Sequence, residues 1–197
     1  MDLFYDRQNS LGLKTDQTIL VIGAGGIGFH VTKMLIMSGI QELHLFDFDT
    51  IETHNLNRLD VSVSSIGKNK VDVLEEISMS LRPDCKFNGY PFEFQDYMLP
   101  DKKFDWLIDC TDKLDAQRYN QSIANKKNIR YVKAGYNGFS ISINNRVASW
   151  GDAPDGYTII PSFIAPAVIV SGLVVTKVLK PEMTEKEIST NVLNMLH

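Results

Sequence analysis

Cysteine is nearly absent. Cys85 and Cys110 are the only two, far apart and in no metal-like spacing, which excludes a disulfide framework and a cysteine zinc site and suits a reducing, cytoplasmic setting. Basic runs are missing as well: 20 Lys and Arg against 24 Asp and Glu leave a net charge of −4 spread along the chain. Nothing marks a reader of the nucleic-acid backbone, so no nucleic-acid partner is expected. The longest apolar stretch, Phe163 to Thr176, contains Pro166, Ser171 and Gly172 and falls short of the roughly 20 residues of a membrane span. It predicts a buried helix and no membrane partner. Asp2 and Asp6 near the start, without an apolar run, give no sign of a signal peptide. Neither repeats nor low-complexity tracts occur.

What is present is enough for one globular domain, with 197 residues of which 44% are hydrophobic. Thr18 to Ile22 reads as a strand, Gly23-Ala24-Gly25-Gly26-Ile27-Gly28 as a glycine turn, and Ile27, Val31, Met34 and Leu35 as one face of a helix. In such a turn Gly23 permits the tight bend, Gly25 lets backbone approach a phosphate and Gly28 lets helix pack on strand. Free N–H groups and the positive end of the helix dipole then favour an anion. Glu42 to Asp49 alternates as a second, parallel strand, and Asp47 at its end stands about 20 residues past the glycines, where a carboxylate accepts from ribose hydroxyls.

Thr50 to Gly67 predicts a long loop serving a site. Arg58 in that loop and Lys70, opening a helix that runs to Leu81, read as an exposed clamp on a polyphosphate. Cys85 to Phe92 and Phe104 to Asp109 predict further strands. Asp112, just beyond, falls on the rim of Gly25 and Asp47; a carboxylate there suits Mg²⁺ and equally suits the N-cap of the helix expected from Leu114, and both roles can coexist. Cys110 reads as a packing residue. Tyr131 to Ala134 predicts a fifth strand. Phe139–Ile143 and Arg146–Trp150 read as an antiparallel hairpin turning at Asn144-Asn145, and Thr184 to Leu196 as a final amphipathic helix. The fold expected is α/β: a Rossmann-like, doubly wound, mostly parallel sheet extended by an antiparallel hairpin. Its divisions are an N-terminal arm (1–17), a core (18–180) and a C-terminal helix (181–197).

The glycine turn, Asp47-Phe48-Asp49-Thr50-Ile51, Asn55-Leu56-Asn57-Arg58, Ile66-Gly67-Lys68-Asn69-Lys70 and Asp109-Cys110-Thr111-Asp112 together resemble successive signatures of the ThiF/MoeB/E1 superfamily. The resemblance runs from about Tyr5 to Lys180, and Tyr5-Asp6-Arg7-Gln8 is similar to the family's opening. It implies an adenylyltransferase that uses ATP and Mg²⁺ to activate the C-terminal glycine of a ubiquitin-like or sulfur-carrier protein. Gly23, Gly25, Gly26 and Gly28 would face the nucleotide and Asp47 its ribose. Asn55, Arg58 and Lys70 would hold the phosphates, Asp112 would hold Mg²⁺, and Arg7 would act from the other subunit. A homodimer follows, with the helix after Pro166 at its interface.

Departures from the pattern limit the chemistry. The family's zinc-binding Cys-x-x-Cys pairs are absent, and no cysteine follows Cys110, so adenylation without a thiol step is expected. The crossover loop, Gly151 to Pro161, is short. Lys113 and Leu59 replace the family's asparagine and glutamine, and Arg118 falls one residue late, about 100° around a helix, and is left out of the site. Two other readings remain open at this point. A non-catalytic E1-like subunit would be expected to lack Arg58, Lys70 or Asp112. An NAD-binding oxidoreductase would need a general acid or base after residue 135, where only His197 stands; His30, His44 and His54 read as ordinary helix, strand and loop residues.

Overall fold

A computed structural model describes residues 3–147, 160–183 and 186–196. Seven strands form one sheet: β1 (Thr18–Ile22), β2 (Glu42–Phe46), β3 (Lys86–Tyr90), β4 (Trp106–Asp109), β5 (Arg130–Asn137), β6 (Ser140–Asn144) and β7 (Ile188–Asn191), in the order β3-β2-β1-β4-β5-β6-β7. β1 to β5 are mutually parallel, while β6 runs antiparallel to both β5 and β7. Parallel strands require crossovers, and α1 (Gly26–Met37), α2 (Lys70–Leu81) and α3 (Leu114–Lys126) supply them. A fourth helix, α4 (Ile164–Leu179), lies along α1.

Both sheet faces are covered, which is why the central strands β1 and β4 read as near-continuous apolar runs. Ile19, Val21, Leu43, Leu45, Ile108 and Val132 pack toward α1, α2 and α4, and Leu20, Ile22, Phe46, Leu107 and Tyr131 toward α3. Double burial also explains His44, expected as an ordinary strand residue. It is 2% exposed, and its ring lies edge-on to Phe104 and bonds the Tyr90 hydroxyl and Glu42.

Two expectations need correction. The segment 181–197 is not a helix: it holds a short 3-10 turn (Pro181–Met183), strand β7 and a second 3-10 turn (Val192–Met195). The free edge of β6 needs a hydrogen-bonding partner, and Ile188-Ser189-Thr190, two of them β-branched, meets that need in place of helical periodicity. The proposed hairpin partner of β6 is likewise displaced. Arg146 and Val147 lie outside the sheet and 148–150 lie outside the described residues, so β6 turns back from β5 at Gly138-Phe139. Residues 151–159 of the expected crossover loop also lie outside the described residues.

Candidate functional site

In the order 3-2-1-4-5 the switch point falls between β1 and β4, whose following helices pack on opposite faces; beyond the strands' carboxyl ends this is where open α/β sheets bind ligands. The turns after β1 and β4 touch there. Gly23 has φ +92°, and a Cβ on it would lie 3.1 Å from the Cys110 carbonyl. A Cβ on Gly28 would overlap the Gly23 carbonyl oxygen, so only glycine lets α1 seat against the turn. At Gly25 nothing lies within 4 Å of where a Cβ would be. The first bond of α1 runs from Phe29 N to Gly25 O (2.9 Å), which leaves the preceding N–H groups of the helix start without intrahelical acceptors.

Asp47 braces this turn. Its Oδ2 accepts from Ala24 N at 2.5 Å and its Oδ1 from Asp49 N at 2.8 Å. Burial raises its pKa, and the Lys70 ammonium, 4.0 Å away, opposes that rise. Lys70 is buried, contrary to the exposed clamp expected from sequence. Its Nζ donates to Asp49 Oδ2 at 2.7 Å, its N–H donates to Asp49 O, and the Thr50–Asn69 bridge ties the start of α2 to the loop. That loop is anchored by the buried Ile51 and Leu59. Asn55 is buried within it, and its Oδ1 accepts from Glu52 N at 3.0 Å. Arg58 is half-buried, with Nη1 donating to His54 O (2.7 Å) and Asn57 Oδ1 (3.1 Å). Its Cδ and the Tyr136 hydroxyl both crowd the place a Gly26 Cβ would take, at 3.3 and 2.6 Å.

On the β4 side Asp109 is wholly buried and accepts from Thr111 N (2.9 Å), Thr111 Oγ1 (2.6 Å), Asn120 Nδ2 (3.1 Å) and the Tyr131 hydroxyl (2.8 Å). Asp112 is exposed, and its carboxylate has no partner among the described residues. It is not the helix cap, since Lys113 takes that position without a side-chain bond. Burial pushes the Cys110 thiol up to about 12 and the Cys85 thiol up to about 11, so neither is poised as a thiolate nucleophile. Arg7 is the one candidate outside the cluster. Its neighbour Gln8 donates to Ser38 O at 2.8 Å and Tyr5 packs on Gly39, at the C-terminal end of α1, about 18 Å along the helix from Gly25.

Sequence reasoning missed four participants. Asp49 stands within a sequence motif that assigns it no role, and Tyr136 lies beyond the shorter fifth strand expected. Lys133 showed only as a lone charge in an apolar strand. His30 was read as an ordinary helix residue, yet its Nε2 donates to Arg58 O at 2.8 Å and burial lowers its pKa.

Comparison with known proteins bears on the family and the fold. Ubiquitin-like modifier-activating enzyme 5 of Caenorhabditis elegans is 26% identical over 171 residues, covering 80% of this chain and 40% of its own length. The enzyme of the same name from Branchiostoma floridae is 27% identical over 172 residues, covering 80% and 41%. This chain thus spans about two fifths of the length of those relatives. Among solved structures, Escherichia coli MccB with ATP shares the fold at a TM-score of 0.75 and 20% identity, over 90% of this chain and 64% of that one. PaaA does so at 0.72 and 21%, over 90% and 65%. The model of the ThiF family matches residues 6–149, spanning the glycine turn, the loop of Arg58, Lys70 and Asp112, and the chain belongs to that family.

Proposed function

We propose that the chain adenylates the C-terminal glycine carboxylate of a ubiquitin-like or sulfur-carrier protein, using ATP and Mg²⁺, as a cytoplasmic homodimer. The observation that carries this reading is the meeting of two turns at the switch point, one offering unbonded helix N–H groups beside open space at Gly25, the other an unpaired carboxylate at Asp112. The names and structures of the relatives support it, since ubiquitin-like modifier-activating enzymes and an ATP complex of MccB stand among them.

The residues suit ATP and Mg²⁺. No group of three His, Cys, Asp or Glu gathers to hold a metal among the described residues. One carboxylate is what Mg²⁺ uses when substrate phosphates complete its shell, and the ion would there neutralise developing phosphate charge. The helix start and glycine turn would receive phosphate oxygens. Asp47, already bonded to Ala24 N, retains lone pairs for ribose hydroxyls, and Asn55 Nδ2, Arg58 and Lys70 would supply donors and positive charge.

The chemistry follows from charge and position. A carrier carboxylate oxygen bonds the α-phosphorus while the bond from that phosphorus to the bridging oxygen breaks, and pyrophosphate leaves with the electron pair. The carboxylate is ionised at neutral pH, so no general base is needed and none is assigned. Catalysis then rests on orientation and on fixed cations facing the growing negative charge. Raised thiol pKa values at Cys85 and Cys110 favour a reaction that stops at the acyl-adenylate on this chain. The half-buried Ile169 and Leu173 of α4, with exposed Ile164, are the residues for the subunit contact.

Calorimetry with Mg²⁺-ATP and NAD, run on the wild type and on Asp112→Ala, tests the reading. ATP binding weakened by the substitution, followed by pyrophosphate exchange with a glycine-terminated carrier, is the expected result. NAD binding without ATP binding would overturn it.

A further inference from the structure

Lys133 is an ammonium in an unusual place. The residue is 6% exposed on β5, and among the described residues no carboxylate lies within 4.0 Å of it. Burying a charge is costly unless it is fully hydrogen-bonded, so its bonds define what it is for. Lys133 Nζ donates to Thr111 O at 2.7 Å and to Ala134 O at 2.6 Å. Thr111 is held from its other side by Asp109, which accepts from both Thr111 N and Oγ1, while Gln117 Nε2 lies 3.3 Å from the carbonyls of Thr111 and Asp112. Asp109 and Lys133 are register neighbours on adjacent strands, yet they act on each other through Thr111 instead of pairing directly.

We infer that Lys133 is a positioning residue for the cation site, fixing the Thr111–Asp112 peptide so that the Asp112 carboxylate is presented ready to ligate. This rests on the nucleotide reading above. The physical argument is that Asp112 makes no side-chain bond of its own, so the region its carboxylate can reach is set by where its backbone is held. The backbone is pinned by opposite charges, a carboxylate on the Thr111 N–H and hydroxyl and an ammonium on the Thr111 carbonyl. Charge-assisted bonds of this kind are about twice as strong as neutral ones. Partners that orient a metal's ligand matter to the metal nearly as much as the ligand itself.

The probe is Mn²⁺ in place of Mg²⁺, followed by electron paramagnetic resonance, with an ATP analogue whose α–β bridge cannot be cleaved. Lys133→Met is expected to lower Mn²⁺ affinity of the nucleotide complex by about 10- to 100-fold, with metal-free nucleotide affinity unchanged. On an Asp112→Ala background the same substitution is expected to add no further loss, because its route to the metal is gone. Equal losses on both backgrounds, or unchanged Mn²⁺ affinity, would overturn the inference while nucleotide binding stood. Absence of nucleotide binding in the wild type would instead remove the reading beneath it and this inference too. Should Lys133→Met fail to fold, Thr111→Val, which removes only the hydroxyl bond to Asp109, carries the test: a smaller loss of Mn²⁺ affinity supports the pinning, and an unchanged affinity refutes it.

Discussion

Lys70 Nζ donates to Asp49 Oδ2 at 2.7 Å and stands 4.0 Å from Asp47 Oδ1. One buried ammonium thus links the carboxylate that braces the glycine turn to the carboxylate beside it. The side chain proposed for phosphate recognition thus also serves local stability.

Lys70→Ala is therefore expected to damage both. Removing the ammonium leaves the buried Asp47 carboxylate without its nearby positive charge, at a cost of about 1–3 kcal/mol. Nucleotide affinity should fall in the same variant. Urea denaturation beside calorimetry checks this, and a denaturation midpoint equal to the wild type would refute the bracing role.

Two glycines of the turn should respond oppositely to alanine. Gly28→Ala forces a methyl into the Gly23 carbonyl and is expected to cost about 3 kcal/mol or more. Gly25 has φ −71° and open space, so Gly25→Ala should fold within about 1 kcal/mol of wild type while its methyl fills the cradle and weakens ATP binding. Melting curves and ATP titrations on the pair would show whether fold and ligand separate in this way.

Acid unfolding should carry the signature of Glu42. Burial opposes its ionisation, but hydrogen bonds from Lys102, Lys86 and His44 outweigh that and hold its carboxyl down at about 2. A depressed folded pKa contributes stability above the ordinary carboxylate value and loses it as pH falls toward 2. Glu42→Gln should then show a flatter decline between about pH 4.5 and 2 in a denaturation series. An unchanged slope would mean that the cluster does not govern the acid limb.

Arg7 sits a helix length from its own glycine turn, so in the proposed homodimer any contribution to an active centre is expected across the subunit contact. Each of Arg7→Ala and Asp112→Ala should be inactive alone. Mixed dimers should regain one competent site, in which the Arg7→Ala subunit supplies Asp112 and its partner supplies the arginine. No recovery on mixing, with heterodimers demonstrated by mass spectrometry, would place the arginine in cis or outside the reaction.

Much of this was legible from local pattern. The glycine turn, the ends of β1 and β2, the Asp47 position and the Leu114 start of α3 follow from motifs whose geometry is dictated within a few residues. The final strand was not legible, because Ile188, Val192 and Leu196 fit a helical stripe as well as they fit alternation, and the free edge of β6 that decides between them lies 44 or more residues earlier in the chain. Lys133 was hidden for a similar reason. A lysine inside an apolar strand has no meaning until the turn after β4 brings the Thr111 carbonyl to it.

The sequence by itself determined the family, the order of the parallel strands' motifs and the residue types on the rim of the candidate site, since each depends on short-range turn geometry and on the chemistry of the side chains present. Tertiary structure alone decided which of those side chains are buried or paired: Lys70 on Asp49, Asp47 on Ala24, Lys133 on Thr111, and Asp112 without a side-chain partner among the described residues. Hydrogen bonding and desolvation are settled by what packs across the sheet, and in this fold those neighbours come from strands and loops far apart in the chain.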